Sequence, residues 1–417
     1  MKPSTRVLTL STVAFTLLFA VWLMFGVLGV PIRDELHLDT IQFSWLTAIA
    51  ILSGSIWRLP LGIWADRIGG RRLMIVLLLA TAVPTFLVAF AHTFPHLLAC
   101  AFMFGIAGNS FSVGIAWNAA WADRARQGFA LGVFGAGNVG ASVTKLIGPA
   151  LIVLVPAGTS VGFFPGGWRF VPVLYAGLLV VMAGMLWLLS PTPDRHPGSG
   201  RPLRALLAPL RELRTWRFGL YYVVVFGAYV ALSLWLPAYY KRVFGLPLGQ
   251  AALLTALFIF PASLLRPVGG WLSDRFGARP VTYAVFIAML LTCVPLAGSH
   301  LRLMPFVALI EVLGVGMGLG KASVYKYIAE YFPSEVGAAG GLVGTLGALG
   351  GFFLPLAFGY LDKSSGRPQS CFWIMGALVL ACLVWLHTVV SAMRRRASVR
   401  LRSVTVASVG DQVGAGA

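Results

Sequence analysis

The sequence predicts an all-α membrane protein of twelve crossings, built as two equivalent six-helix bundles with both termini on the cytoplasmic face. Three observations carry this expectation: a composition too apolar for water, twelve apolar runs of spanning length, and a motif that recurs at half the chain length.

Of the 417 residues, 58% are hydrophobic and only 11% charged, with a mean hydropathy of +0.85. Soluble domains carry about a quarter charged residues, so this chain belongs in lipid. A helix rising about 1.5 Å per residue needs about 20 mostly apolar residues to cross roughly 30 Å of hydrocarbon. Runs near 8–30, 42–63, 73–91, 96–117, 128–155 and 169–190 meet that requirement in the first half. Runs near 218–240, 249–272, 281–299, 303–328, 336–360 and 371–392 meet it in the second. Backbone amides cannot stay unpaired in lipid, so these are helices. The first run follows Lys2 and Arg6 but is longer than the apolar core of a signal peptide and lacks a small-x-small cleavage site; it is expected to be retained.

The net charge of +19 reads as topology, not as a nucleic-acid surface, because cytoplasmic loops collect Lys and Arg. With the N-terminus inside, twenty basic residues fall in inner segments, among them Arg71, Arg72, Arg217 and Arg394. Seven fall outside: Arg33, Arg169, Lys241, Arg242, Arg302, Lys363 and Arg367. The protein is therefore expected as a multi-pass protein of the cytoplasmic membrane, surrounded by lipid and monomeric.

Arg58-Leu-Pro-Leu-Gly62 with Asp66-Arg67-Ile-Gly69 reappears as Arg266-Pro-Val-Gly-Gly270 with Asp274-Arg275-Phe-Gly277, each matched pair 208 residues apart. The organisation that follows is a bundle over 1–190, a Pro/Gly/Ser-rich cytoplasmic linker over 191–217, a second bundle over 218–393 and a cytoplasmic tail over 394–417. Parallel six-helix repeats around a midplane site are the plan of rocking transporters. Asp66 and Asp274, each followed by Arg67 or Arg275, mark the cytoplasmic membrane edge. They are candidates for charge pairs that close that side and release it.

Arg58 and Arg266 precede those carboxylates by eight residues, about 12 Å deeper along the helix, which sets both near the midplane. An arginine there costs on the order of 2.5–3.5 kcal/mol, so a symmetric pair predicts function. The intramembrane charges are Arg58, Lys145, Arg266, Lys321 and Lys326 against a single deep acid, Glu311, with the cytoplasmic rim as the alternative place for Lys326. So basic an interior attracts anions, and planar guanidinium forks match oxyanion oxygens two at a time. A desolvated lysine can lose its proton near neutral pH, so Lys145, Lys321 and Lys326, with Glu311, are candidates for proton coupling as well as for anion attraction.

Gly135-Ala-Gly137-Asn138-Val-Gly140 fits a dinucleotide fingerprint by letter. It lies inside an apolar helix with no strand before it, which removes that reading. Closely spaced glycines instead let helices touch, and Gly340-Gly341-Leu-Val-Gly344-Thr-Leu-Gly347 to Gly351 repeats the feature late in the second half. Asn138 and Tyr222 offer donors to an oxyanion, and Phe111 an aromatic face. Cys100, Cys293, Cys371 and Cys382 stand singly, the six histidines form no cluster, and no nucleophile–base spacing is present. No enzyme activity, cofactor or metal is expected.

The segment from Gly62 to Arg72 resembles the cytoplasmic signature of the major facilitator superfamily. Phe19-Ala-Val-Trp22 with Gly26-Val-Leu-Gly29, Gly135 to Pro149, and Gly340 to Pro355 resemble the nitrate/nitrite porter family (NarK type) of that superfamily over the chain to about residue 392. The resemblance implies Arg58 and Arg266 as the substrate clamp and Asn138, Tyr222, Phe111, Gly137, Gly344 and Gly347 as its surround. It also implies nitrate, with nitrite, as the cargo. Ala141-Ser-Val-Thr-Lys145 and Gly320-Lys-Ala-Ser-Val-Tyr-Lys326 resemble the nitrate/proton symport kind; nitrate/nitrite exchange, another small anion, or an anion channel are the alternatives. Glu311 has no place in the family pattern.

Overall fold

The computed structural model describes residues 2–121, 127–195, 211–298, 301–331 and 336–414. Crossing helices are α1 (Pro3–Leu36), α2 (Thr40–Ile56, continued by Arg58–Ile68), α3 (Gly70–Phe90), α4 (Phe94–Asn118), α5 (Ala130–Leu154) and α6 (Gly167–Leu189). The second half supplies α7 (Leu213–Phe244), α8 (Leu248–Phe276), α9 (Ala278–Gly298), α10 (Leu303–Tyr331), α11 (Val336–Ser365) and α12 (Ser370–Gly414). Eleven of these are long and apolar enough to cross a membrane, and α2, broken into two pieces, makes the twelfth crossing. A short outer hairpin, β1 (Ser160–Val161) with β2 (Phe164–Pro165), joins α5 to α6.

Several ends lie beyond the apolar runs. α1 starts at Pro3 and continues to Leu36, because Pro at a first turn is pre-set for helix and a helix does not stop where its hydrophobicity does. α7 begins at Leu213, inside the segment read as linker. α12 runs through Gly414, so the tail continues the last crossing.

The halves share one local device. α2 breaks at Trp57 (φ −88°, ψ −1°) and α8 at Leu265 (φ −83°, ψ 2°), and Arg58 and Arg266 open the second pieces. Pro60 and Pro267 lack the N–H that would continue the ladder across each break. Both second pieces end at a glycine with positive φ, Gly69 (92°) and Gly277 (87°), a conformation other residues resist. The repeat in sequence is thus a repeat in backbone geometry.

The two halves meet tightly on the outer side. A Cβ at Gly26 of α1 would stand 2.9 Å from the Leu234 Cα of α7, and one at Gly359 of α11 would stand 1.9 Å from Ser44 Oγ of α2. Ser142 of α5 donates to the Ala256 carbonyl of α8 at 3.2 Å. Ion pairs Lys241–Asp34 and Lys363–Asp39 cross between the halves at the same end. Asp39 also caps α2 reciprocally with Gln42, and the Gln42 amide holds its carboxyl below the usual carboxylate range. On the inner side the spacing reverses: around a Cβ at Gly132 of α5 or Gly341 of α11 there is nothing within 4 Å. Among the described residues the halves are in close contact on the outer side and more loosely spaced on the inner side.

A Cβ at Gly140 would lie 2.0 Å from the Thr16 carbonyl oxygen, a backbone atom that cannot swing aside. Gly140→Ala is expected to lower the unfolding temperature of the detergent-solubilised protein, by an overpacking cost of about 1–3 kcal/mol. Gly132→Ala should leave it unchanged.

Candidate functional site

The helix breaks turn Arg58 and Arg266 toward the seam between the halves. Arg58 is buried. Its Nε donates to the Gly54 carbonyl (3.0 Å) and its Nη1 to the Gly344 carbonyl (3.3 Å) on α11 of the other half. Trp22, Phe111 and Phe226 ring its guanidinium at 5.5, 5.9 and 5.5 Å from their centroids. Each such contact is worth about 0.5–2 kcal/mol, so the cage and the two carbonyls together match the roughly 2.5–3.5 kcal/mol that a midplane arginine costs.

Arg266 is less provided for. It lies 5.7 Å from the same Phe111 ring, and its Nη2 reaches the Tyr222 hydroxyl only at 3.5 Å. Its Nη1 is buried without a hydrogen-bond partner among the described residues. A Cβ at Gly135 of α5 would stand 3.3 Å from that Nη1. Each arginine therefore crosses the seam to a glycine of the opposite half, Arg58 to Gly344 and Arg266 to Gly135. Among the described residues, neither is in an ion pair.

A third donor completes the cluster. Asn138 sits in a 3-10 stretch of α5 (Ala136–Val139), and its Nδ2 is buried without a partner among the described residues. Its backbone carbonyl faces the Tyr229 hydroxyl at 3.5 Å. α7 carries a π-helical turn, Val223–Gly227, immediately after Tyr222. Such turns are frequent at functional positions. Buried donors left unmatched cost about 1–3 kcal/mol each, so Arg266 Nη1 and Asn138 Nδ2 are two donors whose cost an acceptor oxygen would relieve. Nothing in that donor set suits a metal, and no group of three or more potential metal-ligating side chains occurs among the described residues.

Of the residues selected from sequence, Arg58, Arg266, Phe111, Tyr222, Asn138 and Gly344 come together here. Gly137 and Gly347 serve packing: a Cβ at either would stand 2.5 Å from Phe15 Cδ1 or 2.2 Å from Tyr222 Cδ1. Lys145 donates to the Leu23 carbonyl (3.1 Å), which the interruption in α1 exposes, on the outer side of Asn138. Lys321 donates to the Ala262 carbonyl (2.9 Å) with its Nζ 3.2 Å from the Tyr229 ring centroid, beside the cluster. Both lysines are fully buried with no ion pair among the described residues. Lys326 is apart from them, paired with Asp274 at 2.6 Å on the inner rim. Glu311 lies in the outer half of α10, with its Oε1 buried and unpartnered. Arg275 turns to Trp271 and Phe276. The side chains of Asp66 and Arg67 lie outside the described residues.

Sequence reasoning missed Trp22, Gly135, Phe226 and Tyr325 as neighbours of the arginines. For Gly135 a signal existed, since it precedes Gly344 by nearly the repeat offset.

The described architecture is found elsewhere. The Major Facilitator Superfamily model matches residues 10–253 and 240–409. The chain is 57% identical to the "Probable nitrate/nitrite antiporter NarK1" of Thermus thermophilus, over 95% of this chain and 94% of that protein. It is 31% identical to the "Nitrite extrusion protein" of Bacillus subtilis (strain 168), over 91% and 94%. It is also 31% identical to the "Probable nitrate/nitrite transporter NarK2" of Mycobacterium tuberculosis (strain H37Rv), over 93% and 96%. Among solved structures, an inward-facing, occupied bacterial homologue of the human lysosomal transporter Spinster superposes with a TM-score of 0.75 at 16% identity, covering 93% of this chain and 97% of that one; this likeness shows the fold. With one superfamily model spanning both halves and a relative this similar over nearly its whole length, the chain belongs to the major facilitator superfamily and, within it, to the nitrate/nitrite porter (NarK-type) family.

Proposed function

We propose that this protein is a secondary transporter that moves nitrate, and nitrite with it, across the cytoplasmic membrane by alternating access around Arg58 and Arg266. One observation carries the reading. Two guanidiniums share the Phe111 ring at the seam between the halves, and the donors Arg266 Nη1 and Asn138 Nδ2 have no partner among the described residues. A planar oxyanion supplies acceptors in the plane that guanidinium forks require. The names of the relatives narrow that anion to nitrate and nitrite.

Binding lets the halves close. Without the anion, two like charges face each other across the seam; with it, they share a counter-charge, and drawing Arg58 and Arg266 inward draws α2 and α8 with them. Asp274, which here pairs with Lys326 of its own half, and Asp66 with Arg67 at the matching position of the first half stand at the inner edge, where an exchange of such partners would latch the closure.

For coupling, the reading is proton symport. Lys145 and Lys321 are fully buried, each with one carbonyl partner, and lysine can shed its proton where arginine cannot. Symport also suits uptake against an inside-negative potential, which opposes a lone anion by about 2.3 kcal/mol per 100 mV. Exchange of nitrate for nitrite is the second reading, favoured by the antiporter name of the relative at 57% identity.

The deciding measurement is labelled nitrate uptake into proteoliposomes, with either an imposed inward proton gradient or nitrite loaded inside. A proton gradient alone should drive saturable uptake; stimulation by internal nitrite alone would replace symport with exchange, and no saturable uptake in either case would end the nitrate reading. Arg266→Lys and Arg58→Lys should each raise KM by roughly 10- to 100-fold, the loss of one or two charge-assisted bonds of about 1.5–3 kcal/mol. The two variants should differ: Arg58→Lys also gives up the bond to Gly344, so its maximal rate falls, whereas Arg266→Lys acts chiefly through KM. Gly135→Leu should abolish uptake by filling the space beside Arg266 Nη1, and Gly132→Leu, one turn inward, should retain most of it.

A further inference from the structure

Tyr325 rises half-buried from the inner end of α10, with its ring edge-on to Tyr222 at 5.1 Å and 76°. Its hydroxyl donates to the Gly340 carbonyl of α11 at 3.3 Å and would stand 3.1 Å from a Cβ at Gly344. Gly344 is the residue whose carbonyl accepts Arg58 Nη1, and Gly340 lies one turn further toward the inner side. The phenol therefore overhangs the arginine pair from the more loosely spaced inner side. Lys326, the next residue, pairs with Asp274 near the end of the same α8 piece that Arg266 begins, which fixes the backbone of α10 beside Tyr325.

We propose that Tyr325 caps the anion site on its cytoplasmic side. When the inner side closes, its hydroxyl leaves the Gly340 carbonyl and donates to an oxygen of the bound anion; when it opens, the hydroxyl returns to Gly340. This rests on the reading of the arginine pair as an oxyanion site. A hydroxyl has a single proton to donate, so the two acceptors are alternatives. At 3.3 Å the bond to Gly340 is well beyond the usual 2.7–2.8 Å for O–H···O, and a charged acceptor makes a bond roughly twice as strong as a neutral one. The exchange is therefore favourable whenever an anion is within reach and reversible when it is not. A purely structural Tyr325 would act through its ring against Tyr222, which phenylalanine preserves.

The test uses the full-length protein in detergent and in proteoliposomes. Thermal unfolding is followed with nitrate, nitrite, chloride and sulfate, and uptake is measured with whichever anion stabilises the wild type. In Tyr325→Phe the unfolding temperature without anion should fall only slightly, by the loss of the long bond to Gly340. The nitrate concentration for half-maximal stabilisation and the uptake KM should both rise about tenfold. Tyr325→Phe that binds and transports as the wild type does overturns the cap. Stabilisation of the wild type by another oxyanion and not by nitrate overturns the choice of nitrate alone, and the comparison of variants is then read on that anion. A wild type that no anion stabilises overturns both.

Discussion

Positive charge held in a low-dielectric interior without carboxylates governs the rest of this structure. Arg58 is tolerated because three aromatic rings and two carbonyls surround it. One of those carbonyls, Gly54, lies a turn before the break that starts the second piece of α2. The aromatic cage in turn dictates glycines: Trp22 fits only because Gly54 and Gly108 have no side chains, a Cβ at either lying 2.4 Å from its indole. Glycine content, helix interruptions and aromatic clustering are thus consequences of one electrostatic demand. Where that demand is not met, at Arg266 and Asn138, the shortfall is what the proposed anion would fill.

The same demand explains which parts were legible in the sequence. The repeat, the depth of the arginines and the charge imbalance are properties of spacing and composition, and the structure sets Arg58 and Arg266 at equivalent helix breaks accordingly. Lys326, which the sequence allowed either inside the membrane or at the cytoplasmic rim, pairs with Asp274 at the rim, because a long side chain near a helix end can reach an exposed partner. Gly137 and Gly347 have the same appearance in a string as Gly135 and Gly344; which glycine faces an arginine and which a phenyl ring depends on helix rotation, set by packing that composition does not encode. Trp22 and Tyr325 were hidden for a related reason: aromatic residues are common in such helices, and only the breaks in α1 and α2 bring this indole beneath this guanidinium. Helix ends were misjudged where hydrogen bonding continues past the apolar stretch, as in α1 and α12.

Glu311 is left as a local feature of the outer half. Its unpartnered Oε1 has Tyr240 as an electrostatic neighbour, and the Tyr240 hydroxyl is likewise buried and unpartnered among the described residues. It is far along α10 from Lys321 and shares no bond with it.

The paired breaks at Trp57 and Leu265 have a mechanical meaning. Each separates an outer shaft, packed against the opposite half, from an eleven-residue inner arm that ends at a glycine. An arm of that size is about 16 Å long, so a 15° swing about the break would carry its tip about 4 Å while its first residue barely shifts. The arginines occupy the fulcrum. Leverage of this kind would amplify: a slight approach of the two cations toward a shared counter-charge at the fulcrum would be returned as a larger displacement at the cytoplasmic mouth.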